Sequence, residues 1–211
     1  MSEDIIIIGA ATPTIIRLID DINHKTHRKI NILGFLDNIV SKEKKDFFGF
    51  TILGGFEAIK KHNPSQINLI NTIAGTIQKR IETTEFFLKL GYQFTNIVHP
   101  NVNIERVKMG NGNLIYENAL IQPFVELGNH CVVSSNAGIA HETVIGDYCF
   151  IGPASYICGK VSIKENVFIG CGAKILPRLT IGKNVQISAS ALVNKSIENN
   201  KKIQGIPGRE V

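Results

Sequence analysis

The chain has 211 residues, 44% of them hydrophobic and 19% charged, which suits one large or two modest soluble domains and argues against a disordered or membrane-embedded class. A net charge of +5 fits polyanionic small ligands or a generally basic surface. Lys44-Lys45 and Lys60-Lys61 are pairs rather than a stripe with interleaved aromatics, so no nucleic-acid partner is expected.

The start, Met1-Ser2-Glu3-Asp4, is acidic where a signal peptide would be basic, and the apolar run Ile5 to Ile8 is too short for a signal core or a membrane span. A cytoplasmic protein without a span is expected. Ile5 to Ile8 reads as a buried strand ending at Gly9, and Pro13 is placed to open a helix that buries Ile15, Ile16, Leu18, Ile19 and Ile22. A second strand is predicted at Ile30 to Leu36, stopping at Asp37-Asn38, followed by a polar loop from Ser41 to Asp46 and a turn near Gly54-Gly55. A short helix at Phe56 to His62 leads to a third strand at Ile67 to Ile73. A longer helix runs from about Thr76 to Leu90 and ends at Gly91, where a helix C-terminus favours glycine. Phe94 to Val98 supplies the last strand, before His99-Pro100.

Alternating strands and helices over 1–100 predict a small α/β domain with a Rossmann-like parallel sheet. Ligands of such sheets sit at the carboxyl ends of the strands, so Gly9, Ala10, Asp37, Asn38 and Ala74-Gly75 are expected to line one crevice. The first turn, Gly9 to Thr14, lacks the GxGxxG spacing, which disfavours a dinucleotide oxidoreductase. Asp37 reads either as a strand-end turn residue or as an acceptor for ribose or base hydrogen bonds.

From Met109 to Val193 every sixth residue is aliphatic: Met109, Ile115, Ile121, Leu127, Val133 and onward through Ile187 and Val193. Neither a helix nor an ordinary strand has this period. The residues two places earlier, such as Ala119, Cys131, Ala137, Thr143, Cys149, Ser155 and Ala173, are mostly small or β-branched and should also face inward. One strand and one turn per hexapeptide, with three units to a coil, describe a parallel β-helix over 101–198, closed by a tail at 199–211 that carries Gly205-Ile206-Pro207-Gly208. Glycine often follows the aliphatic position, as at Gly128, Gly146, Gly152 and Gly170, and is expected to ease the corners. Cys131, Cys149, Cys158 and Cys171 contain no CxxC; Cys131 and Cys149 read as small apolar fillers, and no metal site is expected.

The order IIIIGA (5–10), GFLDN (34–38), ILGGFEAI (52–59), the stretch from Ala74 to Arg80, IVHPNV (97–102), AHETVIGDYCFIGP (140–153) and the Gly205 to Gly208 tail, joined to the repeat, resembles the sialic acid O-acetyltransferase family, which includes bacterial nucleotide-linked amino-sugar N-acetyltransferases. The resemblance implies a left-handed β-helix, a homotrimer, acetyl-CoA as co-substrate with no permanently bound cofactor, and direct acyl transfer to a nucleotide-linked 4-amino-deoxysugar for surface glycan synthesis. By the same resemblance His141 is the general base and Glu142 its orienting acid. Imidazole can take a proton near neutral pH as an amine attacks a thioester. Donor binding is expected at Phe150, Gly159, Cys171, Gly172, Gly205 and Pro207. The acceptor is expected at Gly9, Ala10, Asp37, Asn38, Gly75, Ser134 and Asn136.

Two positions depart from the family pattern. Characterised N-acetyltransferases often carry a second histidine where this chain has Phe150, and an asparagine where it has Ser134. O-acetylation of sialic acid or a related sugar is the alternative enzymatic reading, and a non-catalytic β-helix scaffold is the alternative from another class.

Overall fold

The computed structural model describes residues 2–73 and 75–211, and the chain divides after Asn96 into two compact units. Among the described residues no helix is long and apolar enough to cross a membrane.

The first unit is a six-stranded sheet. Its strands are β1 (Glu3–Ile8), β2 (Ile30–Leu36), β3 (Asp46–Phe47), β4 (Phe50–Gly54), β5 (Asn68–Asn71) and β6 (Gln93–Phe94), in the spatial order β3-β4-β2-β1-β5-β6. All neighbours are parallel except β3 and β4. β1 is central, which explains why Ile5 to Ile8 is a continuous apolar run with no exposed member. Helix α1 (Thr14–Lys25) follows Pro13 and buries Ile15, Leu18, Ile19 and Ile22, the i, i+3, i+4, i+7 stripe of an amphipathic helix; Ile16 is only half-buried. Helix α2 (Ile77–Lys89) starts one residue inside the expected span, because the Thr76 hydroxyl caps it by accepting the Lys79 N–H at 3.2 Å.

Three expectations for this unit need correction. The polar segment after Asp37-Asn38 is a 3₁₀ turn at Val40–Lys42, and β3 then forms a hairpin with β4. Phe48 and Gly49 at its tip both have positive φ (51° and 87°), as a two-residue type I′ turn demands. Phe35 packs on Phe47 and Phe50 at centroid distances of 5.0 and 6.2 Å, and this cluster holds the hairpin to the sheet edge. The segment Phe56–Lys61 is 3₁₀ rather than α-helical. The run expected as one strand from Phe94 to Val98 is two: Gln93–Phe94 pairs with Asn68–Leu69, whereas β7 (Ile97–Val98) pairs with Leu114–Ile115 in the second unit. Between them the Thr95 N–H still donates to the Leu69 carbonyl at 3.2 Å, and Arg28 donates to the Asn96 carbonyl at 2.8 Å and to the Thr95 hydroxyl at 2.9 Å.

The second unit is a parallel β-helix. A two-residue strand recurs every six residues from Lys108–Met109 to Leu192–Val193, and those up to Lys174–Ile175 each pair with the strand eighteen residues on, in three sheets. The inward residues of both sets fill the interior: Ile115, Ile139, Ile151, Ile169 and Ile187 at one position, Val125, Ala137, Cys149 and Ala173 at the other, all fully buried. The Cys131 and Cys149 thiols donate to the Gly146 and Lys164 carbonyls at 3.1 and 3.2 Å.

The glycines do something other than expected. The left-handed corner residues lie three places after the aliphatic position and are mostly not glycine: Asn118, Phe124, Asn136, Glu142, Lys160, Asn166 and Arg178 all have φ near 60°. Gly152 and Gly170, one place after it, do not have positive φ. They permit close stacking, since an added Cβ would come within 2.5 Å of the Ile169 carbonyl oxygen and the Ala189 nitrogen of the next coil. The tail adds Lys202–Gln204 in parallel to Gln186–Ile187, and Arg209–Glu210 folds back antiparallel on it. Gly205 to Gly208 spans this reversal, with the Leu192 N–H donating to the Gly205 carbonyl at 3.1 Å and the Gly208 N–H to the Leu192 carbonyl at 2.7 Å.

Candidate active site

His141 and Glu142 stand at the corner that follows the Gly138–Ile139 strand, with Glu142 in the left-handed conformation at φ 57°. Neighbouring coils hold the His141 backbone on both sides. Its N–H donates to the Gln122 side-chain carbonyl at 3.0 Å, and its carbonyl accepts the Lys160 N–H at 3.0 Å. The imidazole is about half exposed, and its Nδ1 lies 3.1 Å from Glu142 Oε1. The other Glu142 oxygen, Oε2, is 3.4 Å from Lys160 Nζ. The hydrogen bond from His141 is the main cause that holds the Glu142 carboxyl below its ordinary value; desolvation opposes it, and Lys160 adds a smaller lowering than either. An ionised Glu142 accepts only, so in the neutral imidazole Nδ1 carries the proton and Nε2 the lone pair.

Nε2 faces Gly159, one coil on. An added Cβ there would lie 2.7 Å from Nε2, while Gly159 itself has no positive φ. Glycine is therefore required at 159 by the approach of the imidazole and not by the turn. Among the described residues the Gly159 N–H has no acceptor, although its carbonyl accepts the Arg178 N–H at 3.1 Å. His141, Gly159, Lys160, Pro177 and Arg178 line an open cleft of about 230 Å³.

Lys160, Pro177 and Arg178 were not singled out from the sequence. A signal existed: Glu142, Lys160 and Arg178 are spaced by eighteen residues, one full coil, so they occupy the same corner of successive coils. None of the other expected site residues of this unit lines the cleft. Phe150 is half-buried and stacks on Phe168 at 5.0 Å with the rings nearly parallel. Cys171 is exposed and Gly172 is a left-handed corner. Gly205 and Pro207 lie in the closing reversal. Ser134 is buried with its N–H on the Ile151 carbonyl, and Asn136 is an exposed corner residue.

In the first unit, Gly9 (φ 93°) packs against Thr72 and Ile73 at the carboxyl end of β1. Asp37 does extensive structural work there. Its Oδ1 accepts the N–H groups of Ile39 and Val40 at 2.8 and 2.9 Å, and its Oδ2 accepts that of Ala10 at 3.0 Å. Asn38 Oδ1 accepts the Phe56 N–H at 2.7 Å. Gly75 precedes the Thr76 cap of α2, and Ala74 lies outside the described residues.

Residues 106–195 match the bacterial transferase hexapeptide (six repeats) model, in overlapping segments 106–141, 124–159, 142–176 and 160–195. Among solved structures, the whole chain superposes on the acetyltransferase domain of PglB from Neisseria gonorrhoeae in complex with acetyl coenzyme A, with a TM-score of 0.87, 22% identity and 100% of both chains covered. PerB from Caulobacter crescentus in complex with CoA and GDP-perosamine gives 0.86 at 22% identity, over 99% of this chain and 97% of that one. WeeI from Acinetobacter baumannii gives 0.83 at 20% identity over the full length of both. These likenesses establish the fold: an α/β region followed by a left-handed parallel β-helix. No curated protein sequence matches the chain.

Proposed function

We propose that the chain is an acetyl-CoA-dependent N-acetyltransferase acting on a nucleotide-linked 4-amino-deoxysugar for surface glycan synthesis, by direct transfer with His141 as general base, in the cytoplasm and as a homotrimer. The observation that carries this reading is the pairing of a base with an acid partner and an unengaged N–H donor: His141 and Gly159 line one cleft, and Glu142 engages the His141 ring at Nδ1. The PglB domain and PerB, whose complexes hold acetyl coenzyme A and CoA with GDP-perosamine, support the same class of donor and acceptor.

The chemistry follows from the geometry. As the sugar amine nitrogen bonds to the thioester carbonyl carbon, its surplus proton passes to His141 Nε2 and Glu142 stabilises the imidazolium. Negative charge gathers on the carbonyl oxygen, where the Gly159 N–H is the available donor. The tetrahedral carbon then expels the CoA thiolate, leaving an amide. Of the donor set, Gly159 is the member beside the base; Phe150, Cys171, Gly172, Gly205 and Pro207 are assigned to the rest of the coenzyme. The nucleotide is assigned to the first unit, through Gly9, Ala10, Asp37, Asn38 and Gly75. Asp37 Oδ2, with one N–H bound, keeps an acceptor position for a ribose hydroxyl. Ser134 and Asn136 are assigned to the sugar.

The test is a screen of UDP-, dTDP- and GDP-linked amino sugars with acetyl-CoA and mass detection. An acetylated product stable to hydroxylamine supports the proposal. A hydroxylamine-labile ester would establish O-acetylation instead, and failure to bind any CoA species would leave a scaffold.

A further inference from the structure

The carboxylate that orients the base is itself shared. Glu142 gives Oε1 to His141 Nδ1 at 3.1 Å and Oε2 to Lys160 Nζ at 3.4 Å. Lys160 has the same left-handed corner conformation as Glu142, at φ 61° against 57°, one coil further on. Side chains at equivalent positions of neighbouring parallel strands project in the same direction about 5 Å apart. The Lys160 N–H also donates to the carbonyl of His141, so the lysine and the base are tied through main chain as well as through the carboxylate.

We propose that Lys160 is a positioning residue for the base: its ammonium engages one oxygen of Glu142 and so turns the other to His141 Nδ1, which keeps Nε2 unprotonated and directed to Gly159. The inference rests on the reading of His141 as a proton acceptor. An exposed glutamate side chain beside a solvated histidine has several rotamers of similar energy, and only those that reach Nδ1 select the useful tautomer. A second partner on the far oxygen favours the bridging arrangement. His141, Glu142 and Lys160 are each about half exposed, so the pair adds little to stability, and its effect falls on the orientation of the carboxylate. Arg178 is the remaining charged group lining the cleft, and Gln122, on the opposite side, is neutral.

The test compares Lys160→Met and Lys160→Arg, each alone and with Glu142→Gln, by steady-state kinetics on acetyl-CoA and the accepted amino-sugar nucleotide and by ¹⁵N NMR of the His141 ring nitrogens. Lys160→Met should lower kcat about two- to five-fold, the scale of an exposed ion pair, with both KM values nearly unchanged. It should also raise the Nε2-protonated fraction of His141. Lys160→Arg should restore both readouts, and Lys160→Met should add nothing once Glu142 is glutamine. The proposal is overturned if Lys160→Met leaves the tautomer ratio unaltered, if its effect is undiminished in the Glu142→Gln background, or if it raises a KM without lowering kcat. The NMR arm requires no turnover. A tautomer that depends on Lys160 in a protein with no transferase activity would sustain this inference and overturn only the proposed function.

Discussion

At position 141 an imidazole half open to solvent is held by backbone contacts to two neighbouring coils, so its place does not depend on burial of the ring. Removing the ring should therefore leave the fold intact. His141→Ala is expected to lower kcat by about 10²–10⁴-fold with an unchanged circular dichroism melt, and His141→Asn to be similarly impaired, because an amide hydrogen-bonds but cannot take the proton. Near wild-type kcat in His141→Ala would leave positioning and carbonyl polarisation as the whole of the catalysis. The lowered carboxyl of Glu142 sets a second expectation. A carboxylate whose folded-state affinity for protons is depressed contributes fully above its unfolded value, and that contribution is lost only as pH falls through the lower folded value. The His141–Glu142–Lys160 contacts should accordingly persist through the ordinary glutamate range. A ¹³C carboxyl titration of Glu142 should find its midpoint below that range, moving upward in Lys160→Met. A midpoint at or above the ordinary range would contradict the observed pairing.

At the scale of elements, the end of β2 combines two roles in one side chain. The Asp37 carboxylate secures the β1–α1 loop through the Ala10 N–H and the 3₁₀ turn through the Ile39 and Val40 N–H groups. Asp37→Ala strands these donors much as loss of a helix cap does, and should destabilise the chain by about 1 kcal/mol in thermal or urea unfolding, with Asp37→Asn milder. If Asp37 also holds the nucleotide, the acceptor KM should rise in both variants while that for acetyl-CoA stays the same. A shift confined to the acetyl-CoA constant would remove the first unit from acceptor binding. The β-helix corners illustrate a related economy. Left-handed residues other than glycine cost about 1–2 kcal/mol each, and the coil-to-coil N–H to carbonyl ladder made by residues such as Asn136, Glu142 and Lys160 offsets that cost.

For the whole molecule, the β-helix leaves Leu120, Phe124, Val144 and Leu176 exposed on its outside. Scattered single apolar residues are ordinary, but several on one solenoid fit a surface that packs against further copies. Light scattering is expected to give three times 23.2 kDa. A monomer with full activity would refute the trimer.

What the sequence by itself determined was the interior of the solenoid. A strict period of six places each aliphatic residue on its counterpart eighteen positions later, so the stack from Ile115 to Ile187 follows from spacing alone, and so does the inward place of Cys131 and Cys149. His141-Glu142 was legible as a corner pair for the same reason. The hairpin at Phe48-Gly49 was missed because its signal is carried by two positive-φ residues within an aromatic run, and the strand from Phe94 to Val98 was read as one because pairing partners, not local propensity, divide it. Only the tertiary structure decided what the exposed side chains touch. That Asp37 spends most of its carboxylate on backbone donors, that Gly159 is glycine to admit an imidazole, and that Lys160 shares Glu142 with His141 are matters of distance between segments. Inward positions are dictated by exclusion from water and recur with the repeat. Outward contacts depend on which rotamers and main-chain donors meet across coils, and no period in the chain encodes that choice.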